Sequence, residues 1–223
     1  MGLDMRPLGR PKPGCENEFI KIFNILQNRE KQEFNFIQKL FGKKDKTFEQ
    51  LLQIWNEIQI SPFETIKAPM VGRDFEANTW LNSLYETTDK SKKIEDFFQD
   101  YNGYYVIELA KEIEGVPIYQ SPVADANVFR GEFLRNCEDL IGENLVSEAW
   151  ISKLSHEALD YGNRLMHYAD NLAIKHNLEY LKSTRIPPEC DEESIDAKLH
   201  IIFSLSKWLQ FYGKNGHGYE ADF

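Results

Sequence analysis

The most apolar long stretch of the chain is residues 194–212, with the sequence SIDAKLHIIFSLSKWLQFY. At about 100° per residue, its apolar side chains fall along two lines of a helix instead of one. The first line contains Ile195, Leu199, Ile202 and Leu209, and the second contains Ile201, Leu205, Trp208 and Tyr212. A helix with two apolar flanks is covered on both sides. We therefore predict that this helix, with Asp191 as its cap, lies in the middle of a multi-helix array.

Several other segments show the i, i+3, i+4 spacing of apolar residues that is typical of amphipathic helices. Thr47 and Gln50 have the spacing of a capping box and mark the start of one of them. The predicted helices cover residues 16–27, 33–41, 47–58, 74–85, 91–101, 127–141 and 145–176. The fold class that we predict is mainly α, a single domain over residues 1–223.

Residues 104–119 form the one segment that resembles β-structure. The sequence YYVIEL is rich in β-branched and aromatic residues, and VPIY follows Gly115. We predict at most one small β-hairpin here, in which Pro117 limits its strand to an edge. The alternative is a helix over residues 105–114 that ends at Gly115.

Both ends of the chain depart from the helical pattern. Residues 1–14 are rich in proline and glycine, so we expect an extended arm. Its apolar residues Leu3, Met5 and Leu8 indicate that this arm packs on the body of the protein. Residues 213–223, GKNGHGYEADF, are expected to form an irregular tail.

The charge and the cysteine content limit the kinds of partner and the cellular compartment that we expect for this protein. The net charge of −10, from 36 acidic and 26 basic residues, argues against nucleic acid as a partner. The three cysteines lack CxxC spacing, which favours free thiols in a reducing compartment. No apolar run approaches the roughly 20 residues of a membrane span, and the N-terminus lacks the apolar core of a secretory signal. We therefore expect a cytoplasmic protein without a membrane partner.

The predicted helix over residues 145–176 carries a polar stripe. Its members are His156, Asp160, Asn163, His167 and Asp170. We interpret the stripe as a solvent-exposed face. His156 and His167 are eleven residues apart, roughly 16 Å along a helix, so one metal ion cannot bind both. His156, Asp160 and His167 are therefore weak metal candidates, and we predict neither a metal nor a cofactor.

A second polar stripe follows the predicted central helix. It consists of Asp196, His200, Ser204 and Lys207. An unpaired buried polar group costs a few kcal/mol, so the stripe must be exposed or paired. Three interpretations remain: an exposed seam, a buried His200 paired with a neighbour such as Asp196, or a pocket lining. In a pocket, His200 acts as a base or ligand and Lys207 binds an anion.

The glycine-rich tail is the third candidate site. Glycines on either side of His217 let backbone amides approach a ligand, and Tyr219 follows. The simpler interpretation is an ordinary chain terminus. The glycine spacing differs from GxGxxG, and the chain contains neither GxxxxGK[ST] nor GxSxG.

These observations support two hypotheses about function. The first is a non-catalytic protein that binds another protein, itself or a small ligand. The second is an enzyme with a His/Asp/Lys pocket, for example a metal-assisted hydrolase. Its candidate catalytic residues are His200, Lys207 and His217, acting with Glu220 or Asp222 if the tail folds back.

Overall fold

The computed structural model describes residues 2–29, 46–88, 90–110 and 128–223, so the predicted helix over residues 33–41 lies outside the described residues. The fold is mainly α, as predicted, with small antiparallel strand pairs. The α-helices are α1 (Glu16–Leu26), α2 (Phe48–Glu57), α3 (Pro62–Thr65), α4 (Phe75–Thr87), α5 (Ile94–Asp100), α6 (Glu138–Ile141), α7 (Glu143–Ser147), α8 (Ser155–His176) and α9 (Ile195–Lys214). Short 3-10 helices span Ile107–Leu109, Gly131–Cys137, Glu148–Trp150 and Glu179–Lys182.

Helix α9 is the central element of the fold. Ile202 and Leu205 are fully buried and Trp208 is 1% exposed, which confirms that both flanks of this helix are covered. The helix begins one residue after Ser194, whose hydroxyl accepts a hydrogen bond from the backbone N–H of Ala197. Ser194, and not the predicted Asp191, is therefore the cap, because its side chain reaches a free N–H of the first turn.

Helix α8 packs closely along α9 through two glycines. A Cβ atom placed on Gly162 would lie 2.7 Å from the Cβ of Leu209. A Cβ atom on Gly213 would lie 2.8 Å from the Cβ of Leu159. One glycine belongs to each helix, so the close approach is built from both sides.

The two ends of the chain meet in one antiparallel sheet. Its strand order is β4 (Phe129–Arg130), β1 (Asp4–Pro7) and β5 (Tyr219–Asp222), so the N-terminal strand lies in the middle. Asp4 is opposite Asp222, and Pro7 is opposite Tyr219. The tail expected to be irregular therefore contains a strand, because the arm supplies it with backbone partners.

A second strand pair and the buried arm complete the β-structure. Strand β2 (Arg10–Pro11) pairs with β3 (Gln59–Ile60), so the arm also contacts the segment after α2. Leu3 and Met5 of the arm are fully buried in the core around α9. The extended arm is thus part of the main core.

Three segments differ from the helix and hairpin predictions. In residues 104–110, Tyr105 forms an isolated bridge with Met70, and a 3-10 helix follows; residues 111–119 lie outside the described residues. In the predicted helix over 127–141, residues 131–137 form a 3-10 helix instead. The predicted helix over 145–176 is interrupted before α8, because Lys153 forms backbone hydrogen bonds with Tyr219 of β5.

The buried side chains form one large cluster and smaller ones. The large cluster surrounds α9, a second lies between α1 and α2, and a third joins α4 and α5. Within the described ranges, no helix is both long enough and apolar enough to cross a membrane.

Candidate binding cleft

A cleft of about 300 Å³ lies between α1 and α2, with one wall formed by the two ends of the chain. Its apolar lining consists of Leu8, Phe23, Leu26, Phe48, Leu52 and Trp55. Its polar lining consists of Gln27, Asn56 and Glu220. Six of the nine described lining residues are therefore apolar, and the surface that faces the cleft is both polar and apolar.

The sequence of α2 places its residues on the cleft. Thr47 Oγ1 accepts a hydrogen bond from Gln50 N–H (3.3 Å), and the Gln50 side chain accepts one from Thr47 N–H (3.0 Å), so the predicted capping box is confirmed. This fixes the start of the helix. Phe48, Leu52 and Trp55 then share one helical face through i, i+4, i+7 spacing.

Aromatic packing fixes the floor of the cleft. The Trp55 ring stacks on Phe19 with centroids 4.3 Å apart and lies 6.3 Å from Phe23. The guanidinium of Arg29 lies over the Phe23 ring, 5.0 Å from its centroid, and donates a hydrogen bond to Glu157 of α8 (2.9 Å). The floor therefore belongs to a packed aromatic cluster tied to the long helix.

The mouth of the cleft has an exposed aromatic ring on one side and a carboxylate on another. Phe48 is 61% exposed although it lines the cleft. Glu220 is exposed and lies opposite Arg6 in the pairing of β1 with β5. Leu8 is held in place because its backbone N–H donates to the carbonyl of Gly218 (3.0 Å).

His217, a candidate ligand, is a fully buried residue next to this wall. Its Nδ1 lies 2.9 Å from the carbonyl oxygen of Leu8, and its Nε2 lies 2.6 Å from the hydroxyl of Thr65. Burial lowers the pKa of His217 to about 4, so the ring is neutral at neutral pH. Both ring nitrogens therefore hold protein segments together.

Tyr219, the other tail candidate, is also fully buried. Its hydroxyl donates to the carbonyl of Ala149 (3.2 Å), and burial raises the pKa of this phenol. The residue links β5 to the segment before α8 and does not face the cleft.

The polar stripe of α9 faces the segment that contains the 3-10 helix Glu179–Lys182. His200 is fully buried, and its Nε2 lies 3.1 Å from the carbonyl oxygen of Thr184. Burial lowers the pKa of this imidazole. Asp196 instead accepts a hydrogen bond from the Tyr180 hydroxyl (3.2 Å), so the described partner of His200 is a backbone carbonyl.

The C-terminal half of that stripe is buried or half-buried. Ser204 is buried, and Lys207 is half-buried. Burial, with the nearby positive charge of Lys182, lowers the pKa of the Lys207 amine. Neither residue lines the cleft between α1 and α2.

The structure does not bring the candidate catalytic histidines together. His200 lies near the start of α9 and His217 lies beyond its end, and roughly 21 Å of helix separates His200 from Lys214. Of the two tail acids, Asp222 accepts a hydrogen bond from Arg6 (3.2 Å) and Glu220 lines the cleft. A single active site with both histidines is not formed.

The weak metal candidates lie apart on the surface of α8. His156 is exposed, Asp160 accepts a hydrogen bond from Arg164 (2.9 Å), and His167 lies 3.2 Å from Asn171. Across the part of the chain that the structure describes, no three His, Cys, Asp or Glu side chains are grouped so that they could hold a metal ion.

The cysteines do not form a reactive centre with these residues. Cys137 is fully buried, and burial raises the pKa of its thiol to about 12, so it is protonated at neutral pH. Cys15 is half-buried at the start of α1, and Cys190 is exposed.

A wider cleft of about 560 Å³ lies near α6 and the start of α9. It contains Glu138, Asp139, Glu143 and Glu193 beside Arg135 and Lys198. The ammonium of Lys198 lies 3.2 Å from Asp139 and 3.0 Å from Glu193, so these charges are already paired within the protein. Among the described residues that line this cleft, none has an apolar side chain.

Sequence reasoning found the helices of the binding cleft but not the cleft itself. The apolar spacing placed Phe23 and Trp55 on inward helical faces, and both are buried. Leu8 and Glu220, however, come from opposite ends of the chain. Only the pairing of β1 with β5 shows that these two residues meet.

Comparisons of the chain with protein-family models, curated proteins and solved structures gave no match.

Proposed function

We propose that this chain is a non-catalytic binding protein that holds an apolar side chain of a partner protein in the cleft between α1 and α2. The observation that carries the proposal is the composition of the cleft. It has an aromatic and aliphatic floor and three polar residues, Gln27, Asn56 and Glu220. Binding sites typically combine a concave apolar surface with a few polar groups that orient the ligand.

The size and the exposed aromatic ring of the cleft favour a protein partner. A volume of about 300 Å³ lies at the lower end of small-molecule sites, and it suits one large side chain. Phe48 is exposed at the mouth, and aromatic residues dominate the binding energy of protein interfaces. Covering this ring on binding removes apolar surface from water.

A partner other than nucleic acid and a cytoplasmic location are part of this proposal. The net charge of −10 disfavours contact with phosphates. Cys15, Cys137 and Cys190 are free thiols, which is usual in a reducing compartment.

The test is a titration of the protein labelled with 5-fluorotryptophan, followed by fluorine NMR. The Trp55 signal is assigned by the Trp55→Phe variant, because the chain contains four tryptophans. N-acetyl-phenylalanine amide is expected to shift this signal with an affinity of about 1 mM, the value typical of a ligand of this size. N-acetyl-glycine amide is expected to leave the signal unchanged.

Phe48→Ala and Phe75→Ala provide a matched pair of variants. Phe48 is the first residue of α2 and Phe75 is the first residue of α4, and both rings are exposed. Phe48→Ala is expected to weaken binding about fivefold, because about 1 kcal/mol of apolar contact is lost. Phe75→Ala is expected to have no effect. Equal effects of both substitutions, or no Trp55 shift with wild type, would contradict the proposal.

A further inference from the structure

The charge at the mouth of the cleft points to the chemistry of its occupant. Glu220 is the one charged residue among the described residues that line the cleft. It is exposed, and within the described part of the chain it forms no ion pair within 4 Å. A bound group next to the apolar floor therefore meets a carboxylate that has no counter-ion in direct contact.

The cation closest to Glu220 in the sheet is engaged by other carboxylates. Arg6 is opposite Glu220, but its guanidinium lies 3.2 Å from Asp222 and 3.5 Å from Asp4. Arg130 also forms an ion pair with Asp4. The carboxylates of this sheet face, Asp4, Glu220 and Asp222, thus outnumber its guanidiniums, Arg6 and Arg130, by three to two.

The net charge of the whole chain adds to the negative electrostatic potential around Glu220. Its net charge of −10 attracts basic partners over distances up to the Debye length and repels acidic ones. A cleft that holds one apolar side chain leaves the neighbouring residue of the partner at the mouth. At the mouth, that residue would meet Glu220, the charged residue among the described residues of the lining.

We propose that the occupant is a segment of a partner protein in which a phenylalanine or leucine side chain is followed directly by lysine or arginine. The apolar side chain enters the cleft, and the cationic side chain contacts Glu220. This inference rests on the proposed function, because it requires the cleft to bind an apolar side chain.

The experiment compares two tetrapeptides by the Trp55 fluorine signal at low ionic strength. The first is acetyl-Gly-Phe-Lys-Gly-amide, and the second is acetyl-Gly-Phe-Glu-Gly-amide. Glu220 attracts the lysine of the first peptide and repels the glutamate of the second. The lysine peptide is therefore expected to bind with an affinity about fivefold higher, the size expected for exposed charge pairs. Acetyl-Gly-Ala-Lys-Gly-amide, which lacks the apolar side chain, is expected not to bind.

Variants of Glu220 separate this inference from the proposed function. Glu220→Gln is expected to reduce the preference to less than about twofold while both phenylalanine peptides still bind. Glu179→Gln, which changes an exposed acid distant in sequence from the cleft, is expected to keep the fivefold preference. The two substitutions change the net charge equally, so the comparison isolates the local carboxylate.

The outcomes are distinguishable. Binding of neither phenylalanine peptide would overturn the proposed function. Equal binding of both by wild type, or an unchanged preference in Glu220→Gln, would overturn only the identity of the occupant. Tighter binding of phenethylamine than of the lysine peptide would replace the peptide segment by a small cationic ligand.

Discussion

His217 is the residue that joins the ends of the chain to α3. A backbone carbonyl can only accept, so Nδ1–H donates to the Leu8 oxygen and Nε2 accepts from the Thr65 hydroxyl. The neutral ring satisfies both bonds in a buried site. Protonation instead places a positive charge where water is excluded.

The free energy of unfolding is therefore expected to fall when His217 must be protonated. The pKa of this ring is lowered to about 4 in the folded protein, against about 6.5 in the unfolded chain. The unfolded state binds the proton first, so the contribution is complete above pH 6.5 and is lost as the pH falls towards 4. We expect a loss of about 3 kcal/mol, measured by urea unfolding across this range.

His217→Asn identifies the source of this dependence. Its amide N–H can still donate to Leu8, so the variant is expected to fold with lower stability at pH 7.5 and to lose less stability between pH 6.5 and 4. His156→Asn replaces an exposed histidine of α8 and is the control. An unchanged pH profile in His217→Asn would show that other groups cause the loss.

Sequence reasoning at this scale identified the polar residues of α9 but not their partners. Any buried residue of the stripe needs a hydrogen-bond partner. His200 is buried and has such a partner. One partner is the carbonyl of Thr184, in an irregular segment, and helical spacing carries no information about such segments. Asp196, the neighbour on the same face, contacts Tyr180 instead.

Among the elements, the pair of α8 and α9 depends on glycine at the points of closest approach. Gly162 of α8 faces the carbonyl of Ser206 and the backbone nitrogen of Gln210, each 3.2 Å from where a Cβ would lie. Backbone atoms cannot turn aside as a flexible side chain can. A methyl group at Gly162 must therefore push the helices apart.

Gly162→Ala is expected to destabilise the protein by about 1–3 kcal/mol, although alanine is the better helix former. The measurement is the midpoint of urea unfolding. Asn171→Ala, on the exposed face of the same helix, is the control and is expected to change stability by less than about 0.5 kcal/mol. A stabilised Gly162→Ala variant would mean that helix propensity outweighs the close contact.

Elements with a continuous apolar period were predictable, and those fixed by distant pairing were not. The spacing of Ile202, Leu205 and Trp208 predicted α9, because the local sequence alone shows that both flanks of this helix are apolar. All three side chains are buried. The segment before α8 also has a helical pattern, but Lys153 pairs with Tyr219. Tertiary pairing there replaces a locally favourable helix.

At the scale of the whole molecule, the N-terminal arm acts as core structure. Strand β1 is the middle strand of its sheet, and Leu3 and Met5 are fully buried with side chains from α8 and α9. Residues near a chain end are usually tolerant of substitution. In this fold, burial removes that tolerance.

Met5→Ala is therefore expected to lower the free energy of unfolding by about 2–5 kcal/mol, the cost of removing a large side chain from a core. The control is Phe223→Ala, which truncates a side chain that is 62% exposed at the other end of the chain. Thermal unfolding followed by circular dichroism measures both. Equal melting temperatures for the two variants would show that the arm does not contribute to the core.

The pairing of Asp4 with Asp222 also bears on the order of events during synthesis. The ribosome releases β1 long before β5 exists, so Leu3 and Met5 cannot reach their native setting until residues 219–222 have been synthesised. The wall that Leu8 and Glu220 give to the cleft forms at the same moment, because Glu220 belongs to that last strand of the sheet.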